Sequence, residues 1–402
     1  MFERTGVFGV YREDSSLRGT RRESDALTAP IAFPDSLRTI ALGGVGLVGG
    51  SLGLSIKSRA PRTRVVAFGR TEATLKRARE IGAIDEFFLE PGEAVAEADL
   101  VILAPPVRTI PGILERIAGS LKPNVLVTDA GSTKSWITAA AERVLPSAVR
   151  FVGSHPMAGS EKSGIEFADA GLFEQAVVVV TPSLLSDEAA LISMKNFWRA
   201  LGAVPLTLSA ETHDRIVASI SHLPHVVAAA LVNVVARRAR KEGRYWDLAA
   251  GGFRDTTRIA ASHPRVWTDI CLTNREMILE ILDEFRDDLE SFRDVLEETD
   301  EEGLKRFFKE SSEARKAVPP RGAGVLEGLA DLYVEVPDHP GEIARVTGIL
   351  AARGINIVDL EITRVRERPD VAPLRLFFEK VGERDEAAGA LTEEGITVRA
   401  PQ

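Results

Sequence analysis

The sequence contains a single cysteine, Cys271, and fewer basic than acidic residues. One cysteine excludes a disulfide within the chain, the usual support of small extracellular domains. With 50 Lys and Arg against 59 Asp and Glu, the net charge of -9 argues against general affinity for nucleic acid or acidic membranes. No segment resembles a membrane span or a signal peptide, so we expect a cytoplasmic protein. An anionic ligand would need a local basic pocket.

The chain is too long, at 402 residues, for one hydrophobic core, and its pattern predicts several domains. A loosely ordered extension covers 1–36, and strands alternate with helices over 37–185. The pattern is helical and without strands over 186–317. Loss of periodicity predicts a linker over 318–328, and a small module covers 329–402.

A glycine-rich turn follows the first predicted strand, Ile40-Ala41-Leu42, and precedes a helix. Glycines let the backbone approach a pyrophosphate, while free N–H groups and the helix dipole face the anion. Further apolar runs at 64–68, 99–104 and 125–128 predict a parallel sheet buried on both faces. We expect a Rossmann-type doubly wound α/β domain; a turn that serves packing alone is the alternative. The candidate cofactor-binding residues in the turn are Gly44, Gly46, Leu47, Val48 and Gly49.

The end of the second strand bears on the choice of nucleotide. An acidic residue usually binds the ribose 2'-hydroxyl there, but this chain has Gly69-Arg70-Thr71. Without a carboxylate, a 2'-phosphate could lie against Arg70 and Thr71, which favours NADP over NAD. Thr71 could equally cap the next helix. Pro105, after the strand at 99–104, is a further candidate.

Two polar segments follow predicted strands and are candidates for catalysis. His155 lies in Ser154-His155-Pro156-Met157-Ala158-Gly159-Ser160-Glu161, and Ser132 in Asp129-Ala130-Gly131-Ser132-Thr133-Lys134. The carboxyl ends of strands face the nicotinamide crevice, where His155 could act as general base and Ser132 could orient its ring. The alternatives are a surface histidine in a Pro-Gly turn and a serine or threonine that caps a helix.

A second histidine cluster, Ser221-His222-Leu223-Pro224-His225, falls in a long apolar helix that Pro224 should kink. We expect no metal, because neither a nearby cysteine nor paired carboxylates accompany the histidines. His225 is better interpreted as a hydrogen-bond donor to an anionic substrate, or else as a core histidine. Arg258, after the flexible turn predicted at Gly251-Gly252, can clamp a carboxylate bidentately; solvated arginine is the alternative.

A longer helix follows with apolar residues three and four positions apart. This stripe must be buried, either within the chain or, as we favour, in a symmetric homodimer. Its residues are Ile278, Ile281, Leu282, Phe285, Leu289, Phe292 and Leu296. After the linker, strand and helix patterns follow in the order βαββαβ, which predicts a small ferredoxin-like module.

Taken together, these residues resemble the prephenate dehydrogenase family over nearly the whole chain after residue 36. The motifs that carry the resemblance are the glycine loop running into Ser51-Leu52-Gly53, the segments 129–134, 154–161 and 221–225, and Gly251-Gly252-Phe253-Arg254-Asp255-Thr256-Thr257-Arg258-Ile259-Ala260.

The resemblance implies oxidative decarboxylation of prephenate to 4-hydroxyphenylpyruvate and carbon dioxide, with NAD or NADP as hydride acceptor. His155 would take the ring hydroxyl proton, and Ser132 would orient His155 and that hydroxyl. Arg258 would hold a substrate carboxylate, and His225 would face the pyruvyl side chain. The other candidates for the substrate site are Ser221 and His222, with Glu161, Asp214 and Asp255 as charged supports that shape access.

The resemblance leaves alternatives open. An aspartate is common in the family at the position of Gly69, so the cofactor is NADP or NAD. An amino group on the substrate would make the enzyme an arogenate dehydrogenase; His225 favours prephenate. A non-catalytic amino-acid sensor is the alternative of another class.

The C-terminal module resembles an ACT domain through Val336-Pro337-Asp338-His339-Pro340-Gly341 and Gly354-Ile355-Asn356-Ile357. This implies feedback control by tyrosine or a related amino acid, or a module that only dimerises. The candidate regulatory-ligand residues are Asp338, Gly341, Asn356 and Ile357.

Overall fold

The computed structural model describes residues 31–159, 162, 164–318, 330–362, 371–378 and 380–399. The chain divides into two compact units, with the boundary in the sequence between Leu304 and Lys305. Most of the expected extension at 1–36 and most of the expected linker at 318–328 lie outside the described residues, as does Glu161.

The first unit contains an eight-stranded sheet in the order β3-β2-β1-β4-β5-β6-β7-β8. Its strands are β1 (Thr39–Gly43), β2 (Arg64–Phe68), β3 (Glu86–Phe88), β4 (Leu100–Leu103), β5 (Leu126–Asp129), β6 (Arg150–Pro156), β7 (Val177–Pro182) and β8 (Val204–Thr207). The first six strands are parallel, and β7 pairs antiparallel to β6. This order confirms the Rossmann-type fold.

Helices alternate with these strands and cover both faces of the sheet. They are α1 (Leu47–Arg59), α2 (Glu72–Glu80), α3 (Pro91–Val95), α4 (Ile110–Ile117), α5 (Ser135–Val144) and α6 (Glu188–Ala200). Because side chains alternate along a strand, Ile40 and Leu42 join one core cluster while Ala41 joins the other. The apolar runs in the sequence are therefore strands buried on both faces.

The strand β8 corrects the expectation of a helical region without strands after residue 185. Val204 and Leu206 pair with Val177 and Val179 of β7, so the sheet continues to residue 207. The run Val204-Pro205-Leu206-Thr207 is too short and too mixed to predict a strand by periodicity, and its pairing is supplied by β7.

The helical region contains α7 (Ala210–Val217), α8 (Leu223–Ala239), α9 (Gly251–Thr257), α10 (Pro264–Thr273), α11 (Arg275–Glu297) and α12 (Glu301–Arg315). Where a kink at Pro224 was expected, the structure has a π-helical turn, Ala218–His222, between α7 and α8. Pro224 is the second residue of α8 and directly follows this turn. The turn predicted at Gly251-Gly252 is instead the first turn of α9.

Two apolar surfaces of the helical region remain open. On α11, Ile278 is buried, but Leu289 and Leu296 are about half exposed (52% and 54%). By length and composition alone, the helix from Ala210 to Ala239 could cross a membrane. Length and composition alone are weak evidence of a span, and buried His213 and Asp214 attach this run to the sheet.

Besides most of α12, the second unit contains a four-stranded antiparallel sheet and two further helices. Its elements are β9 (Ala330–Pro337), α13 (Glu342–Ala352), β10 (Asp359–Ile362), β11 (Val371–Phe378), α14 (Val381–Glu393) and β12 (Thr397–Arg399), with sheet order β10-β11-β9-β12. Alternate residues of β9, Leu332, Val334 and Val336, are buried against the helices. The predicted βαββαβ order is confirmed.

Candidate active site

The first of two cavities at the carboxyl edge of the parallel strands has the features of a dinucleotide site. Its volume is about 710 Å³, and Gly44, Gly46 and Pro105 line it. Gly44 has a φ of +88°, which favours glycine. A Cβ on Gly49 would collide with the carbonyl oxygen of Gly44, whereas a Cβ on Gly46 would meet no protein atom within 4 Å.

The helix α1 begins directly behind this turn, and its first turn carries no acidic residue. Leu47 and Val48 therefore offer free backbone N–H groups to an anion at a helix N-terminus. The close approach of Gly49 to Gly44 and the open space before Gly46 fit a bound pyrophosphate, so these residues could hold NAD or NADP.

Two arginines line the far end of the cofactor cavity. Arg70 and Thr71 follow β2 there, and Thr71 is the N-cap residue of α2 without a side-chain hydrogen bond to that helix. Arg116, on α4, lines the same cavity and lies 3.3 Å from Glu90. The lining of the cavity therefore includes two basic residues.

The second cavity gathers candidates that are far apart in sequence. Its volume is about 410 Å³. The predicted residues that line it are Ser132, His155, Ser221, His222, His225 and Arg258. Ser132 follows β5 and Pro105 follows β4, which pairs with β5, so the two cavities are neighbours at the same sheet edge. A substrate here can approach the nicotinamide of a bound dinucleotide.

His155 lies near the end of β6, beyond the part of that strand that pairs with β5. Its Nδ1 lies 2.8 Å from Nε2 of His213, and Nδ1 of His213 lies 2.8 Å from Oδ1 of Asp214. The backbone N–H groups of Lys134 and Ser135 donate to the Asp214 carboxylate at 2.7 and 2.8 Å. Asp214 thus caps α5, a role that the sequence suggested for Ser132 or Thr133.

The environment holds the three groups in defined charge states. Burial lowers the pKa of His155 well below its usual range, and His213, Lys134 and His222 lower it further. Burial also lowers the pKa of His213, against the hydrogen bond to Asp214. Burial opposes ionisation of Asp214, but the hydrogen bonds it accepts outweigh burial and lower its pKa. Neutral imidazoles therefore stand beside a carboxylate.

A fully buried lysine supports the loop that carries Ser132. Lys134 Nζ contacts the Asp129 carboxylate and donates to the Ser154 carbonyl at 2.7 Å. Burial raises the pKa of Asp129 and lowers that of Lys134, while their attraction opposes both shifts. The pair joins the ends of β5 and β6, the strands that present Ser132 and His155.

Trp267 on α10 forms one wall of the second cavity. The imidazole of His225 stacks on its indole, and Nδ1 of His225 lies 2.9 Å from the Ser221 carbonyl. His222 is buried, with Nδ1 3.2 Å from Nδ2 of Asn274, and burial lowers its pKa to about 4. Burial and nearby Arg258 lower the pKa of His225.

Some predicted site residues lie elsewhere. Asp214 is 2% exposed and lies behind His213, so it cannot shape access to the cavity. Asp255 is exposed on α9 and does not line the cavity, and Glu161 is outside the described residues. Ser132 shares the cavity with His155, but the ring hydrogen bond of His155 is made to His213.

The candidate regulatory-ligand residues occupy two loops of the second unit. Asp338 is exposed, and Gly341 is the N-cap of α13 with a φ of +101°. Asn356 is exposed, whereas Ile357 packs against the core of this unit.

His213, Trp267 and Arg116 contact or line the two cavities but were not predicted as site residues. His213 stands next to Asp214, and that pairing was the signal available for it. Trp267 and Arg116 lie on helices outside the recognised motifs. No local pattern distinguishes them from core or solvated residues.

Three family models match the chain in order. The prephenate dehydrogenase nucleotide-binding domain matches residues 52–206, the prephenate dehydrogenase dimerization domain 209–310, and the ACT domain 330–393. Prephenate dehydrogenase of Bacillus subtilis (strain 168) is 40% identical over 363 residues, which cover 90% of this chain and 96% of the relative.

Two other similar proteins cover about 70% of the chain. Cyclohexadienyl dehydrogenase of Zymomonas mobilis is 37% identical over 283 residues, 69% of this chain and 95% of the relative. The crystal structure of prephenate dehydrogenase from A. aeolicus in complex with hydroxyphenyl propionate and NAD+ has a TM-score of 0.67 at 32% identity. It covers 70% of this chain and 99% of that one. The chain, an NAD(P)-dependent oxidoreductase with a C-terminal ACT domain, therefore belongs to the prephenate dehydrogenase family.

Proposed function

We propose that this protein oxidatively decarboxylates prephenate to 4-hydroxyphenylpyruvate and carbon dioxide. The observation that carries the proposal is one cavity that joins a neutral histidine, a serine hydroxyl and a guanidinium beside the dinucleotide cavity. These groups match the hydroxyl and the carboxylates of a cyclohexadienol diacid.

His155 accepts the hydroxyl proton through Nε2 as the carbon bearing that hydroxyl is oxidised. Ser132 contacts the same hydroxyl and fixes its direction. Arg258 holds the ring carboxylate, and His225 faces the pyruvyl side chain; both substituents are on the ring carbon opposite the carbon that bears the hydroxyl. Loss of the ring carboxylate gives an aromatic product, which provides the driving force.

Bound NAD or NADP supplies the acceptor for the hydride. We favour NADP, because Gly69 offers no carboxylate to repel a 2'-phosphate and because Arg70 and Arg116 line that end of the cavity. The indole and apolar side chains around the substrate, among them Met157 and Trp267, limit the access of water to the reacting carbon.

Arogenate is the second candidate substrate, and the geometry of His225 is the reason. The Nδ1–H of a neutral His225 donates to the Ser221 carbonyl, which leaves Nε2 as a hydrogen-bond acceptor. An acceptor suits the ammonium of arogenate, whereas a protonated His225 suits the keto acid side chain of prephenate.

The open apolar stripe of α11 and the match to a dimerization domain support a homodimer, which would bury Leu289 and Leu296. The ACT domain supports feedback control by an amino acid, and we propose tyrosine as the effector bound near Asp338, Gly341, Asn356 and Ile357. Ile357 would act through its packing, the other three through contact.

The test follows reduced nicotinamide by absorbance with prephenate and with arogenate, each with NAD and NADP, with and without tyrosine. We expect turnover of prephenate that tyrosine inhibits. Exclusive turnover of arogenate would replace the proposed substrate. Turnover of neither substrate would overturn the proposal and favour a non-catalytic amino-acid sensor.

A further inference from the structure

The proposed general base, His155, is the last residue of a chain of hydrogen bonds that also contains His213 and Asp214. His213 is 1% exposed and Asp214 is 2% exposed, and the two residues join His155 to the N-terminus of α5. The two ring contacts are both 2.8 Å, within the normal range for a hydrogen bond.

The direction of each bond follows from Asp214. An ionised carboxylate only accepts hydrogen bonds, so Nδ1 of His213 must carry a proton and donate it. Neutral His213 then has a bare Nε2, which accepts from Nδ1–H of His155. The remaining nitrogen of His155, Nε2, is consequently unprotonated.

The opposite arrangement would disable the base. A protonated His213 would donate from Nε2 to Nδ1 of His155, so that neutral His155 would carry its proton on Nε2. That tautomer has no lone pair for the substrate hydroxyl. Burial of His213, which lowers its pKa, keeps this arrangement from forming at neutral pH.

Asp214 also joins this chain to the second catalytic loop. Its carboxylate binds the backbone N–H of Lys134 and Ser135, just after Ser132, and its own carbonyl accepts from Nδ2 of Asn274 at 2.8 Å. One carboxylate therefore fixes both the orientation of His213 and the start of α5.

We propose that His213 is a positioning residue that selects the Nε2-basic tautomer of His155 and, with Asp214, stabilises the imidazolium formed during the reaction. The proton moves from the substrate hydroxyl to Nε2 of His155 and stays there; His213 and Asp214 keep their own protonation. The inference rests on the proposed function, because it assigns a role to the surroundings of the proposed base.

The test compares His213→Leu, which removes the acceptor, with His213→Gln, whose amide oxygen can replace it. The matched control is Glu211→Gln. Glu211 is an exposed residue of the same helix, and its side chain pairs with Arg215. We expect His213→Leu to lower kcat about 10- to 100-fold with little change in the KM for prephenate, and His213→Gln to recover part of the loss.

A double variant separates positioning from a general loss of structure. In a His155→Asn background, His213→Leu should cause little further loss, because both changes remove the same base. Multiplication of the two losses, or an unchanged kcat in His213→Leu, would overturn the proposal.

The pH profile provides a readout that general destabilisation would not move. In the pH profile of kcat/KM, the midpoint of the acidic limb should shift in His213→Leu and stay in place in Glu211→Gln. The same shift in both variants would contradict the role of His213. Within the part of the chain that the structure describes, the other titratable or charged groups that face or surround His155 are Lys134, Asp129, Asp214, His222, Lys162, His225, Arg258 and His263.

Nitrogen-15 NMR of the histidine rings tests the tautomer without turnover. We expect His155 of the parent protein as the Nδ1–H form and a mixture of tautomers in His213→Leu. An Nε2–H form in the parent protein would overturn the inference. If the parent protein has the expected tautomer but does not turn over prephenate, the result counts against the proposed function and not against the role of His213.

Discussion

The imidazole of His225 stacks on the indole of Trp267 with 3.6 Å between ring centroids and 24° between ring planes. The ring of His225 is held between this indole and the carbonyl of Ser221, which bonds to Nδ1. His225 is therefore oriented before substrate arrives, which lowers the entropic cost of binding.

Removal of the stacking partner should weaken substrate binding. We expect Trp267→Ala to raise the KM for prephenate about two- to tenfold, the effect of about 0.5–1.5 kcal/mol of ring contact, with a smaller change in kcat. Trp267→Phe should have an intermediate effect. Initial rates against prephenate concentration measure this, with Trp136→Phe, a partly exposed residue of α5, as control. An unchanged KM would show that the stack does not position His225.

Two glycines of the nucleotide loop should respond differently to alanine. Gly46→Ala leaves the fold intact, because its Cβ meets no protein atom within 4 Å, but the methyl group projects into the cofactor cavity and should weaken NAD(P) binding. Gly49→Ala collides with the Gly44 carbonyl and should lower both stability and binding.

Thermal unfolding and fluorescence titration of reduced nicotinamide distinguish the two effects. Gly119→Ala is the control, since its Cβ also has open space and the residue lies outside the cavity. Equal loss of stability in Gly46→Ala and Gly49→Ala would contradict the geometry.

Cofactor preference should depend on the two arginines of the far end. We expect Arg70→Ala and Arg116→Ala each to lower kcat/KM for NADP about tenfold and to affect NAD much less, because NAD lacks the 2'-phosphate. Arg62→Ala, an exposed arginine before β2, is the control. Parallel losses with both nucleotides would refute a 2'-phosphate site at this end.

The stability of the first unit should fall as the pH is lowered from about 6.5 to 4. The unfolded chain takes up a proton at His222 near pH 6.5, whereas folded His222 resists protonation until about pH 4. The unfolded state therefore binds more protons in this window, which costs up to about 3 kcal/mol of stability for this residue. Asp214, whose pKa is lowered, adds its loss only below this window.

Urea unfolding monitored by tryptophan fluorescence tests this prediction, because all four tryptophans precede residue 305. We expect His222→Gln to flatten the pH dependence and His339→Gln, in the second unit, to leave it unchanged. A dependence as steep in His222→Gln as in the parent protein would assign the effect to other groups.

The local pattern of apolar residues in the sequence was sufficient to predict much of the architecture. The parallel sheet, the nucleotide turn and the order of the second unit follow from runs and alternation of apolar residues, because these patterns state which faces must be buried. The strand β8 was not predicted, because its four residues, which include Pro205, are too few to show a period.

The candidate site shows a similar division. The sequence by itself predicted His155 and Ser132 at strand ends and His225 on a helix, whereas the turn that it predicted before Arg258 is helical. Tertiary structure alone decided that His213, 58 residues away in sequence, bonds to His155, and that Asp214 is buried rather than placed at the entrance. Periodicity encodes how deeply a side chain lies, but the identity of its partner depends on long-range packing between β6 and α7.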